Sequence, residues 1–162
     1  MHSSSSIPLR HFHHPHAEEL QLSMKSNREI ATDAFNSWMD GSGYVTTIFA
    51  ESMKWEIVGR SAASRKYPNK DVFVREVLQP FGARFTTDAP FRPIIIRGIY
   101  ADDRLSVVTV IWDGEGTTVA DTTYSNTYAW VMTFRDGMVI DGTAFYDSVT
   151  FNELWENVKP IA

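Results

Sequence analysis

Between residues 93 and 146 the apolar side chains recur at every second position, and this alternation decides what the chain can fold into. Four segments carry it: 93–100, 104–112, 124–134 and Met138–Tyr146. Turn residues separate them: Asp102-Asp103, a stretch around Gly114 and Gly116, and Asp136-Gly137. Strands joined in this way predict an antiparallel meander. The first half of the chain reads with a helical period instead. Ser26-x-x-Glu29 is a capping box, and Ile30, Ala31, Ala34, Phe35 and Trp38 follow at helical spacing. A helix is predicted over 27–39, ended by Gly41-Ser42-Gly43. Residues 44–49 predict a short second helix, 53–58 a strand and 59–69 a polar loop. Phe73, Val77 and Phe81 predict a third helix over 70–81, capped by Asn69 and bent or ended at Pro80. Thr150-x-x-Glu153 is expected to cap a C-terminal helix over 151–158. Helices, a strand, a helix and then a meander make an α+β domain, with helices packed on one face of a curved sheet.

The chain has 162 residues, enough for one domain with a sizeable core. Its net charge of −5 shows no electrostatic footprint for nucleic acid. There is no cysteine, which excludes disulfides, thiolate nucleophiles and cysteine metal sites. All 5 histidines fall within the first sixteen residues: His2, His11, His13, His14 and His16. The body therefore has no imidazole for a catalytic triad or a zinc motif, and proton chemistry falls to Asp, Glu, Tyr and Lys. Residues 1–23 read as a disordered Ser/His-rich tail, with at most loose metal chelation, and the domain as 24–162. No apolar run is long enough for a leader or a membrane span, so the expected location is cytoplasmic.

The Asp136-Gly137 turn governs which residues share a face. A two-residue turn pairs Phe134 with Val139 and sets Trp130 opposite Thr143. A type I turn with a glycine bulge pairs Phe134 with Met138. The bulged register gives one consistent apolar face and is preferred. That face holds Tyr124, Asn126, Tyr128, Trp130, Met132 and Phe134 on one strand. Met138, Ile140, Gly142, Ala144 and Tyr146 join it from the next. Buried Tyr and Trp need hydrogen-bond partners, so such a face predicts a pocket as well as a core. The opposite face, with Ser125, Thr127, Ala129, Val131 and Thr133, is either solvated or a dimer interface.

Several stretches carry a resemblance: "IATDAFNSWMDGSG", "FAESMKWEIVG", "RGIYADDRLSVVTVIWDG" and "YSNTYAWVMTFRDGMVIDGTAFYDSVTFNELW". Over roughly the whole domain they resemble the SnoaL-like and ketosteroid-isomerase-like branch of the nuclear transport factor two-like superfamily. The resemblance implies a cone-shaped sheet wrapped on helices, a pocket at the wide end, no cofactor and a homodimer. It places Glu56 at the position of the isomerases' general base. It also places Phe35 and Trp130 where those enzymes carry a Tyr and a protonated Asp as donors, and Ala144 where the cyclases carry a base Asp. The named activities therefore do not transfer whole. The expectation is cofactor-free proton transfer, of isomerase, cyclase or dehydratase type, on an apolar carbonyl compound. Glu56 would be the base, with Trp130 and Asn126 stabilising the oxyanion. The pocket would be lined by Phe35, Trp38, Trp55, Tyr124, Tyr128, Ala144 and Tyr146. The alternatives are a non-catalytic binder of a small apolar ligand and a dimeric interaction module.

Overall fold

The first helix opens where the capping box places it. In the computed structural model, which describes residues 24–162, the Ser26 hydroxyl accepts from the Glu29 amide at 3.1 Å and starts α1, Asn27–Asp40. The tail expected over 1–23, with its histidines, lies outside the described residues. Gly41 closes α1 at φ 81°, in the left-handed region that glycine enters without a side-chain penalty. Residues Val45–Ile48 form a single 3-10 turn rather than the expected helix, and β1 (Phe49–Ile57) starts directly after it. Two β-branched threonines in a four-residue stretch offer little to a helix nucleus. The expected polar loop contains a short strand, β2 (Lys66–Tyr67), paired antiparallel with the end of β1.

The third helix, α2, is built of three consecutive pieces: Lys70–Phe73, a π-helical turn Val74–Leu78 and Gln79–Gly82. Asn69 caps it, accepting from the Val72 amide at 2.9 Å. Pro80 has no N–H to return to the preceding turn, and the helix widens just before it. Four long strands follow: β3 (Arg92–Asp102), β4 (Val107–Thr117), β5 (Thr123–Arg135) and β6 (Met138–Tyr146). The last helix, α3, is Ser148–Asn157. Its cap is Asp147, which accepts from the Val149 amide at 3.0 Å and the Thr150 hydroxyl at 2.5 Å, so it begins three residues before the expected start. An Asp before the first turn outcompetes the Thr because its carboxylate accepts twice and faces the helix dipole.

The strands form one curved, unclosed sheet in the order β2-β1-β6-β5-β4-β3. β1 runs parallel to β6, and every other neighbouring pair is antiparallel. The helices pack on its concave face and the core lies between. Gly114 and Gly116, expected in a turn, lie inside β4. A Cβ on Gly114 would lie 2.2 Å from the Phe91 ring, and one on Gly116 2.7 Å from the Phe85 ring. The glycines admit these rings against the strand.

The β5–β6 register combines both sequence alternatives. Asp136 (φ 51°) and Gly137 (φ 77°) form a two-residue turn that pairs Phe134 with Val139. The bulge comes later: Thr133 pairs with Asp141, leaving Ile140 as the extra residue. That slip restores the expected parity, with Trp130 opposite Ala144 and Tyr128 opposite Tyr146. Val139, rather than Met138 or Ile140, is the buried residue near the turn. Beyond β5 and β6, Arg84 ties two helix ends together. Its guanidinium donates to the carbonyls of Pro80 (2.7 Å), Trp155 (3.1 Å) and Val158 (2.9 Å) and lies 3.9 Å over the Trp155 ring. Among the described residues no helix is long and apolar enough to cross a membrane.

Candidate functional site: an aromatic cavity

Alternation along the central strands sends Trp112, Tyr128, Trp130, Ala144 and Tyr146 to the concave face. β1 adds Trp55 and Ile57, α1 adds Trp38, and Tyr44 follows from the loop after it. Side chains of α2, Phe91 and Phe151 of α3 complete the wall. The space between these side chains is about 50 Å³. An engineered apolar cavity that holds benzene is about 150 Å³, so this one is narrow, with room for a few waters.

The packing is edge to face. Trp55 meets Trp130 at 4.9 Å and 80°, and Trp112 meets Trp130 at 5.2 Å and 90°. Tyr128 stacks on Trp112 at 4.3 Å and 12°. The indole N–H groups of Trp55, Trp112 and Trp130 are buried, and none has a hydrogen-bond partner among the described residues. Each such orphan costs about 1–3 kcal/mol. All three residues line the same cavity.

No carboxylate, amine or guanidinium lines this cavity among the described residues. Its remaining polar atoms are the phenols of Tyr44, Tyr128 and Tyr146. Tyr44 is 38% exposed as a residue, yet desolvation of its hydroxyl pushes it up to about 12. Burial also raises Tyr146, and it raises Tyr128 well above the ordinary tyrosine value, with neighbouring Tyr124 adding to the Tyr128 shift. These phenols stay protonated at neutral pH and serve as hydrogen-bonding groups rather than bases. Among the described residues no three acidic or imidazole side chains gather as a metal ion would need.

Of the residues expected at the site, Trp38, Trp55, Tyr128, Trp130, Ala144 and Tyr146 line the cavity. Phe35 lies beneath it, fully buried against Trp38, Trp112 and Trp130. Tyr124 stands behind Tyr128, with the two hydroxyls 2.8 Å apart. Asn126 is fully committed elsewhere. Its amide donates to the Tyr124 hydroxyl (3.0 Å) and the Asp147 carbonyl (3.1 Å), and its oxygen accepts from the Thr127 (2.9 Å) and Asp147 (3.3 Å) amides. It has no donor left for an oxyanion. Glu56 is on the other face of β1, 3.7 Å from Lys66, because Trp55 and Ile57 on either side of it turn inward. The carboxylate expected to act as base therefore stands away from this cavity. Sequence reasoning passed over Trp112, although it continues the alternation of the buried Val108 and Val110 and pairs with Tyr128. Tyr44 gave no periodic signal.

No family model and no curated protein matches the chain. Solved structures do match it. An NTF2-like protein from Burkholderia thailandensis E264 superposes with a TM-score of 0.63 at 16% identity, covering 81% of this chain and 98% of that one. A Bacillus subtilis protein, described provisionally as an isomerase, gives 0.64 at 13% identity over 85% of this chain and 100% of that one. PrhC from Penicillium brasilianum NBRC 6234 gives 0.58 at 16% identity, over 85% of both chains. The fold is the NTF2-like one. It is a pocket-bearing fold.

Proposed function

We propose that this chain binds a small, uncharged, largely apolar molecule carrying an oxygen acceptor, held in the aromatic cavity. The observation that carries this reading is the set of three buried indole donors without partners around a space free of charged side chains. A carbonyl or ether oxygen would satisfy donors that the protein leaves unpaired. A molecule the size of benzene needs more room than about 50 Å³. The cavity shares Trp38, Tyr44, Leu78, Phe81 and Phe91 with an outer groove of about 450 Å³, and outward movement of this common wall would admit it.

A second reading is cofactor-free proton transfer on a carbonyl substrate: isomerisation, cyclisation or dehydration. The provisional name of the Bacillus subtilis neighbour and the unpartnered indoles of residues that line the cavity favour it. Trp130 and Tyr128 would then stabilise the oxyanion. Glu56 and Asn126 contribute nothing at the cavity where they stand, so binding is the better supported reading.

The test is titration of ¹⁵N-labelled protein with small ketones, following the indole N–H resonances. Selective shifts at Trp55, Trp112 and Trp130, with affinity about 5–10-fold lower in Trp130→Phe, are expected. Unmoved indole resonances at tens of millimolar ketone would reject the reading.

We also infer that two copies pair through the convex sheet face. Phe145, Ala129 and Ile111 form one cross-strand apolar row there, and Phe145 is 47% exposed. Sedimentation should show a dimer that Phe145→Asp converts to monomer. A monomeric parent protein would refute the pairing.

A further inference from the structure

Two hydroxyl chains run behind the cavity wall, and groups that can only donate or only accept orient them. The first begins at Asn126. Backbone amides of Thr127 and Asp147 donate to its Oδ1, so its Nδ2 faces the Asp147 carbonyl and the Tyr124 hydroxyl. The Tyr124 oxygen therefore accepts from Nδ2. One proton of the Tyr124–Tyr128 pair, whose oxygens are 2.8 Å apart, then lacks an acceptor among the described residues. Tyr128 lines the cavity and Tyr124 does not. The free proton costs least where water or a ligand can take it, so Tyr124 donates to Tyr128 and Tyr128 keeps its own proton for the cavity.

The second chain runs the opposite way. The Ser61 amide donates to Ser64 Oγ (2.9 Å), and Ser64 Oγ donates to the Val58 carbonyl (3.2 Å). Its only proton is then spent, so towards Ser61 Oγ, at 2.9 Å, Ser64 can only accept. Ser61 gives its proton to Ser64 and accepts from the Tyr146 hydroxyl at 2.8 Å. The proton of Tyr146, a residue that lines the cavity, is thereby spent on Ser61, and its oxygen is left as an acceptor.

We propose that these chains make Tyr128 a fixed donor and Tyr146 a fixed acceptor, so that the cavity selects a molecule bearing a carbonyl beside a hydroxyl, a hydroxyketone. The two tyrosines are cross-strand partners with ring centroids 5.3 Å apart, and both line the cavity. The inference rests on the binding reading above and adds its polarity. Ser61, which does not line the cavity, is the positioning residue: it acts through Tyr146.

The experiment uses acetoin and its isostere 3-fluorobutan-2-one, which keeps the carbonyl and lacks the hydroxyl proton. Both are titrated into the protein with the indole N–H resonances as readout. Acetoin should bind about tenfold more tightly. In Ser61→Ala, the Tyr146 proton is released to turn inward, and the preference should fall below about threefold. Ser61→Thr should restore it. Ser64→Ala interrupts the chain one step further out and should weaken the preference in the same direction, which covers the case of a poorly folded Ser61→Ala. Equal affinity of the two probes in the parent protein, or an unchanged ratio in both alanine variants, would overturn the polarity while leaving the binding reading standing. Failure of both probes to move any indole resonance would overturn both.

Discussion

Gly142→Ala tests the site and the fold together. Gly142 lies in β6 with ordinary negative φ, so glycine is not needed there for backbone conformation. The reason lies across the sheet. A Cβ at this position would fall 2.1 Å from Trp55 Cζ3 and 2.2 Å from Cε3, where ordinary contact begins near 3.4 Å. The ring must retreat by more than about 1 Å. It has little freedom to do so, being stacked on Phe73 at 5.1 Å and set edge-on against Trp130. Trp55 also lines the aromatic cavity, so a displaced ring alters its wall. Overpacking of this kind costs about 1–3 kcal/mol. The stiffer unfolded chain of an alanine returns about 0.4–1 kcal/mol, which leaves a net loss of about 1–2 kcal/mol. Urea unfolding should show a lower midpoint at unchanged slope. In a Trp55→Phe background the smaller ring leaves room for the methyl, and a double-mutant cycle should recover most of the loss as coupling. A neutral Gly142→Ala, or a cost that persists unchanged beside Trp55→Phe, would refute the reasoning.

Arg84→Met should destabilise the protein by about 2–4 kcal/mol, because it strips three charge-assisted bonds from the carbonyls that end α2 and α3. A change below about 1 kcal/mol in calorimetry would show that water takes over those carbonyls. Asn126→Ala should cost about 2–4 kcal/mol in denaturant titration and also slacken the Tyr124–Tyr128 pair. A stable variant with unchanged ligand preference would count against the polarity of that chain. Alkaline pH should destabilise the fold. Burial raises the phenols of Tyr44, Tyr124, Tyr128 and Tyr146, so the native state holds protons that the unfolded state releases near pH 10. Stability is then full below about pH 10 and falls as pH rises towards 12 and beyond. Tyrosinate absorbance should rise together with loss of near-ultraviolet circular dichroism, and four phenols titrating in an intact fold would contradict it.

Side-chain parity is local information, and the sequence alone determined most of it. Tyr128, Trp130, Ala144 and Tyr146 share the cavity face because strands alternate, whatever their partners. The same rule, applied strictly to Trp55 and Ile57, turns Glu56 outward. Here a family resemblance pulled against the local pattern, and the local pattern was right about placement. The Ser26 and Asn69 caps were legible for the same reason, since a cap is decided within four residues. Non-local contacts decided the rest. Gly114 and Gly116 look like turn residues until Phe91 and Phe85 are seen pressing on the strand. The bulge at Ile140 restores a parity that the Asp136-Gly137 turn would have reversed, and it sets Gly142 against the Trp55 ring, a contact between residues distant in sequence. The width of the cavity, its unpaired indoles and the opposed hydroxyl chains exist only after the sheet has closed over its helices. They depend on distances between elements, and alternation along one strand carries no information about those.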